Sequence, residues 1–242
     1  MSDELQTNRT DRIASSAKAV FGMVPVAGSV LAEIVGEIIP NQRMDRLVKF
    51  VEKLGERVEH LEAGTFGDRC KIPDCVNLIE GALFLAARAK SDERLDHIAS
   101  IVANGISEDE QKRIQADKML WILEKLSDVE VILLRGMLPR TSQEYELDDA
   151  YQNRHDNVLL PKSPTMNSEW SEVEEATLFD SFRQHLVELN LVRVRYKKPN
   201  RNELPEFDEK TGMMKAGGRE LTLLGRMFLQ YVDLIPHWVR EQ

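Results

Sequence analysis

The sequence predicts a mainly α-helical chain. An N-terminal helical bundle covers residues 1–126, and a smaller α/β domain covers 127–242, with a long polar loop at 138–170. Three observations lead there. Apolar residues recur at helical spacing behind cap-forming residues along most of the chain. Only one stretch, 191–196, alternates apolar and polar side chains as a half-buried strand does. Charge is split along the chain: residues 1–140 carry a net −4, 141–190 a net −8 and 191–242 a net +3. That asymmetry marks at least two functional regions.

Taken in order, residues 10–22 read as a helix that Gly22, Pro25 and Gly28 interrupt. Residues 27–39 place Val30, Leu31, Ile34, Val35, Ile38 and Ile39 on one face, with Ser29, Glu33 and Glu37 opposite, and Pro40 stops that helix. Asn41 can cap the next helix, 42–62. There Met44, Val51 and Val58 repeat every seven residues, and Leu47, Leu54 and Leu61 do the same, which makes a short heptad seam suited to packing in a bundle. Pro73 opens a helix to about Lys90 that is apolar on more than one face and so belongs at the centre. Ser91-Asp92-Glu93 and Ser107-Glu108-Asp109-Glu110 start two more helices, and Ser127-Asp128-Val129-Glu130 has the form of a capping box. Helix returns at 171–190.

The overall balance is 32 basic against 41 acidic side chains, a formal charge of −9, which argues against a globally basic nucleic-acid binder. With 42% hydrophobic and 30% charged residues, the composition is that of an ordinary globular protein and excludes fibrous and disordered classes. Two cysteines, Cys70 and Cys75, exclude a disulfide scaffold. The longest uncharged run, 19–32, is shorter than the roughly twenty residues a spanning helix needs. The expected location is therefore the cytoplasm, with membrane association on activation.

At the C-terminal end the strand 191–196 is followed by a polar excursion rich in Pro and Gly, then Arg219-Glu220-Leu221 as a returning strand and Thr222 as the cap of a last helix. Helices, hairpin and closing helix together resemble a winged-helix domain. Arg193, Arg195, Lys197, Lys198 and Arg201 on this wing are the candidate contacts to a nucleic acid or another partner. The helix that would enter a major groove, 171–190, opposes that use. It holds Glu172, Glu174, Glu175, Asp180 and Glu188 against Arg183 alone.

A wider resemblance follows from order along the chain. Asp11-Arg12-Ile13 precedes the segment Val24-Pro25-Val26-Ala27-Gly28. Arg43, Arg46 and the heptad helix come next, and the chain closes with Leu223-Leu224-Gly225-Arg226-Met227-Phe228-Leu229. This order resembles the abortive-infection alpha family of bacterial proteins. The resemblance implies defence against phage by arrest of the infected cell, and it implies no catalytic residues.

Motifs for chemistry are sparse. The histidines His60, His97, His155, His185 and His237 make no His-x-x-x-His pair, and there is no P-loop or Gly-x-Ser-x-Gly elbow. Zinc on Cys70 and Cys75 would need two further ligands, His60 and His97 being the nearest histidines in sequence, and the pair reads instead as reduced thiols. Asp148, Asp149, His155 and Asp156 are the densest mixed cluster, and read as a solvated loop. No catalytic, cofactor or metal residue is assigned. The segment with most character is 19–39. Phe21, Val30, Leu31, Ile34, Val35, Ile38 and Ile39 form either two kinked core helices or an effector surface that meets membrane or a partner once released. The functional expectation is a non-enzymatic defence protein with the bundle as effector and the C-terminal domain as sensor or partner module, through a protein partner or self-association. The alternative is a winged-helix transcription regulator that binds DNA.

Overall fold

In a computed structural model, the described residues are 41–58, 69, 72–138, 151, 153–159, 165, 167–196, 199, 204–207, 212 and 214–235. Among them the protein is mainly helical, with one small antiparallel sheet near the C-terminus. Contacts divide it into two compact units. The boundary falls between Lys125 and Leu126, and Tyr231–Asp233 group with the first unit.

The first unit holds α1 (Asn41–Val58), α2 (Pro73–Arg88), α3 (Asp92–Gly105) and α4 (Glu110–Lys125). Helices α2 and α3 touch each other and both flanking helices, so they form the middle of the packing. Helix α2 buries Cys75, Leu78, Ile79, Ala82, Leu83, Ala86 and Ala87, on more than one face, as its apolar character requires. Pro73 sits in its first turn, where no backbone donor is lost. Ser91 caps α3 by accepting from Arg94 N at 3.1 Å. Helix α4 begins at Glu110, and Asp109 is its cap, accepting from Gln111 N at 2.9 Å.

The heptad seam of α1 is met in part. Leu47 and Leu54 are buried, but Val51 and Val58 are only half-buried. Phe50, which the seven-residue repeat left out, is fully buried. A helix lying against two neighbours buries the broader stripe Leu47, Phe50, Leu54 instead of a single line of knobs. The side chain of Met44, and Leu61, lie outside the described residues. Beside this stripe, Lys49 pairs with Asp92 at 3.0 Å and Lys53 with Asp96 at 2.7 Å. The two pairs climb together by four residues, so α1 and α3 run parallel. An exposed pair such as Lys49–Asp92 contributes little energy, about 0–1 kcal/mol, but the two together hold a register.

The second unit holds α5 (Asp128–Arg135), α6 (Asp156–Leu159), α7 (Trp170–Glu188), β1 (Val192–Tyr196), β2 (Ala216–Leu221) and α8 (Leu223–Tyr231), whose last residue already groups with the first unit. The capping box at Ser127 and Glu130 forms with both reciprocal bonds. Within the stretch expected as a polar loop, α6 makes one helical turn packed on α5. Helix α7 ends in a Schellman motif: Asn190 takes a positive φ of 58°, Leu191 N donates to Leu186 O and Asn190 N donates to Val187 O. Leu186 and Leu191, at the two ends of the longer bond, are fully buried. That motif turns the chain straight into β1. The strands pair antiparallel, Val192 opposite Leu221 and Arg193 opposite Glu220, with an irregularity at Arg195/Tyr196.

Closure of this unit brings Thr222 onto the carbonyls of Asn190 and Leu191. Leu191 O accepts from Thr222 N at 3.0 Å, while the Thr222 hydroxyl donates to Asn190 O at 2.7 Å and lies 3.0 Å from Leu191 O. Thr222 Oγ1 in turn accepts from Gly225 N, so it caps α8 as expected. A Cβ on Gly225 would lie 2.3 Å from Leu191 O and 3.2 Å from Leu191 C. Only glycine lets α8 approach β1 this closely.

Candidate functional site

Alternation along the hairpin gives its two faces different character. Val192, Val194, Leu221 and Arg219 share one face; Arg193, Arg195, Gly218 and Glu220 share the other. Val192 is buried, while Arg193 and Arg195 are both exposed. The structure therefore brings together two of the five expected basic contacts, side by side on the outward face. Arg193 is largely neutralised by Glu220, with Nε 2.5 Å from Oε1. Arg195 stands over Gly218, whose lack of a side chain leaves it room. Lys197, Lys198 and Arg201 lie outside the described residues. So do Phe21, Val30, Leu31, Ile34, Val35, Ile38 and Ile39, the expected effector surface.

Beyond the sheet the hairpin carries apolar groups that reading by sequence did not single out. Leu204 is 88% exposed and Phe207 58%, and Met214, which pairs with Phe207 in an isolated bridge, is exposed too. Their signal in the sequence was weak, because they are spread through a polar stretch without periodicity.

Helix α7 is the other unusual element. Nineteen residues long, it buries only Phe179 and Leu186. Trp170, Glu174 and Leu178 follow one another at i, i+4 and i+8, so they form one stripe. Trp170 is 74% exposed and Leu178 59%, and the indole Nε1 donates to Glu174 Oε1 at 2.8 Å. Glu175, Asp180 and Glu188 are exposed as well. The outward surface of this helix is thus acidic and apolar together, unlike a surface that phosphates would approach.

The inner side of α7 is anchored by hydrogen bonding. Glu130, 3% exposed, accepts from Ser127 N and Ser127 Oγ at 2.7 Å, and its Oε1 lies 2.5 Å from His185 Nδ1. The capping carboxylate of α5 therefore also fastens α7. Arg183 lies over the Phe179 ring at 4.3 Å. Burial pulls its guanidinium below the usual arginine range, and the charge of Arg219 adds to that.

The remaining candidates are placed as follows. His155 packs its ring against Tyr151, with centroids 4.6 Å apart, and Asp156 begins α6. Asp148, Asp149 and Cys70 lie outside the described residues. Cys75 is a buried free thiol, and burial pushes its pKa up. Among the described residues no three His, Cys, Asp or Glu side chains cluster to hold a metal ion, and no helix is long and apolar enough to cross a membrane. Neither a protein-family model, nor a curated protein, nor a solved structure matches this chain.

Proposed function

We propose that this chain is a non-enzymatic bacterial defence protein, acting against phage, whose second unit receives a protein partner through α7. The N-terminal helical region is the effector in this reading, and the second unit is the sensor or partner module. The observation that supports a protein partner is the exposed stripe Trp170, Glu174, Leu178 on a helix that buries only two residues. Exposed tryptophan is a common anchor of protein interfaces, and a helix so little buried gains most from a partner. The defence setting comes from the resemblance in order along the chain.

The competing reading is a winged-helix regulator that grips duplex DNA through the wing. Exposed Arg195 favours it, together with Lys197, Lys198 and Arg201 in the sequence. It requires a helix carrying Glu174, Glu175, Asp180 and Glu188 to approach phosphates, and the Arg193 charge is already spent on Glu220.

Phage plating and duplex binding separate the two. Cells expressing the chain should resist phage, and Trp170→Ala with Leu178→Ala should abolish resistance while the circular-dichroism melt stays unchanged. Labelled duplex at low salt should show no steeply salt-dependent binding. Sequence-specific retention, lost on Arg195→Ala, would replace this reading with the regulator.

A further inference from the structure

We infer that the partner of α7 is a basic protein surface, one that sets a lysine or arginine over Glu174 as it covers Trp170 and Leu178; this rests on the reading of α7 as a docking helix. The exposed charges of α7 are of one sign. Glu174, Glu175, Asp180 and Glu188 are exposed. The single arginine of the helix, Arg183, is half-buried over the Phe179 ring, and its spacing from Glu174 puts it on the opposite side. Trp170 and Leu178 are separated by roughly 12 Å along the axis, and Glu174 stands between them on the same stripe.

The order of these three side chains decides what can cover them. A partner that shields both apolar groups also shields the carboxylate between them. Glu174 Oε1 accepts one hydrogen bond, from the Trp170 indole at 2.8 Å, and the indole is neutral. Once water is gone the negative charge is left uncompensated, and a buried carboxylate without an opposite charge is costly. An apolar partner incurs that cost, and an acidic one adds repulsion to it. A phosphate backbone is repelled in the same way. A partner that brings a cation to Glu174 removes the cost. By their spacing Glu175 and Asp180 lie to either side of the stripe, so further basic residues around the cation meet further acids, which steer the encounter and set its register.

Three synthetic amphipathic helical peptides, titrated calorimetrically into the full chain at low salt, test this. They share one length and one leucine stripe, and carry lysine, glutamine or glutamate at the polar positions. The lysine peptide should bind about tenfold or more tighter than the glutamine peptide, and the glutamate peptide should not bind. Trp170→Ala with Leu178→Ala should abolish binding of the lysine peptide. Glu174→Gln keeps an acceptor for the indole and removes the charge, so it should bring the lysine and glutamine peptides to nearly equal affinity. Glu56→Gln, an exposed carboxylate on α1, should leave the lysine preference in place, which separates contact at α7 from general attraction to an acidic chain. Equal binding of the three peptides, no binding of the lysine peptide, or a lysine preference that survives Glu174→Gln overturns the proposal. Phage plating distinguishes its failure from failure of the docking helix. Glu174→Lys should abolish resistance, as Trp170→Ala with Leu178→Ala does, with unchanged circular-dichroism melts. Resistance that needs Trp170 and Leu178 but tolerates Glu174→Lys overturns the basic partner and leaves α7 as a docking helix for a partner of another charge. Resistance that tolerates all three substitutions removes the docking helix itself.

Discussion

Two glycine-to-alanine substitutions with the same chemistry should move stability in opposite directions. Alanine favours a helix over glycine by about 1 kcal/mol per residue. At Gly55, inside α1, a Cβ would meet nothing within 4 Å, so Gly55→Ala should stabilise the first unit by about 0.5–1 kcal/mol. At Gly225 the same gain meets a Cβ 2.3 Å from Leu191 O and 2.9 Å from Leu221 Cδ1. The leucine tip can move, but Leu191 O is held by the amide of Thr222. Overpacking of this kind costs about 1–3 kcal/mol, and each hydrogen bond broken to relieve it about 0.5–1.5 kcal/mol more. With that bond broken and the helix gain of about 1 kcal/mol subtracted, Gly225→Ala should destabilise the second unit by about 0.5–3.5 kcal/mol. Urea titrations should be followed separately for each unit, by amide exchange within α1 and within β1 and β2, because two units need not unfold as one. A neutral or stabilising Gly225→Ala would refute the close approach of α8 to β1.

Other substitutions probe the first unit. Phe50→Ala should cost about 3–5 kcal/mol in urea denaturation, clearly more than Val51→Ala, because Phe50 is fully buried and Val51 is not. Equal losses would restore the heptad line that Val51 belongs to. Alkaline pH should loosen this unit, because burial pushes the Tyr231 phenol up and the Asp109 charge adds to the shift. The folded state then holds a proton that the unfolded state releases, so stability is intact below the ordinary value of 10.0 and falls as pH rises through the raised one. Cys75 acts in the same direction from its ordinary value of 9.0. Tyr231→Phe should lose about 0.5–1.5 kcal/mol with the 2.9 Å bond to Gln115 and flatten the alkaline fall in a pH series of melts.

What the sequence made legible was mostly local. Ser91 and Ser127 announce helix starts through bonds that span three residues, Pro73 through its fixed φ and missing N–H, and all three do so in the fold. Strand β1 was visible because Val192 and Val194 alternate with arginines. Contacts between distant segments were not visible. Glu130 was legible as a capping residue, but its bond to His185, 55 residues away, has no periodic signature. Phe50 escaped for a related reason: its burial depends on α1 lying against both α2 and α3. The exposed apolar stripe of α7 was hidden in another way. Trp170 and Leu178 have the spacing of core residues, and only the fold reveals that Phe179 and Leu186 are the ones buried.

Amide hydrogen exchange across residues 170–178 of the dilute chain tests most directly whether α7 is open to a protein partner. No residue of this half of α7 is buried in the single chain, so its amides should exchange fast at low micromolar concentration. Protection of 170–178 that is already strong in the dilute chain would contradict the account.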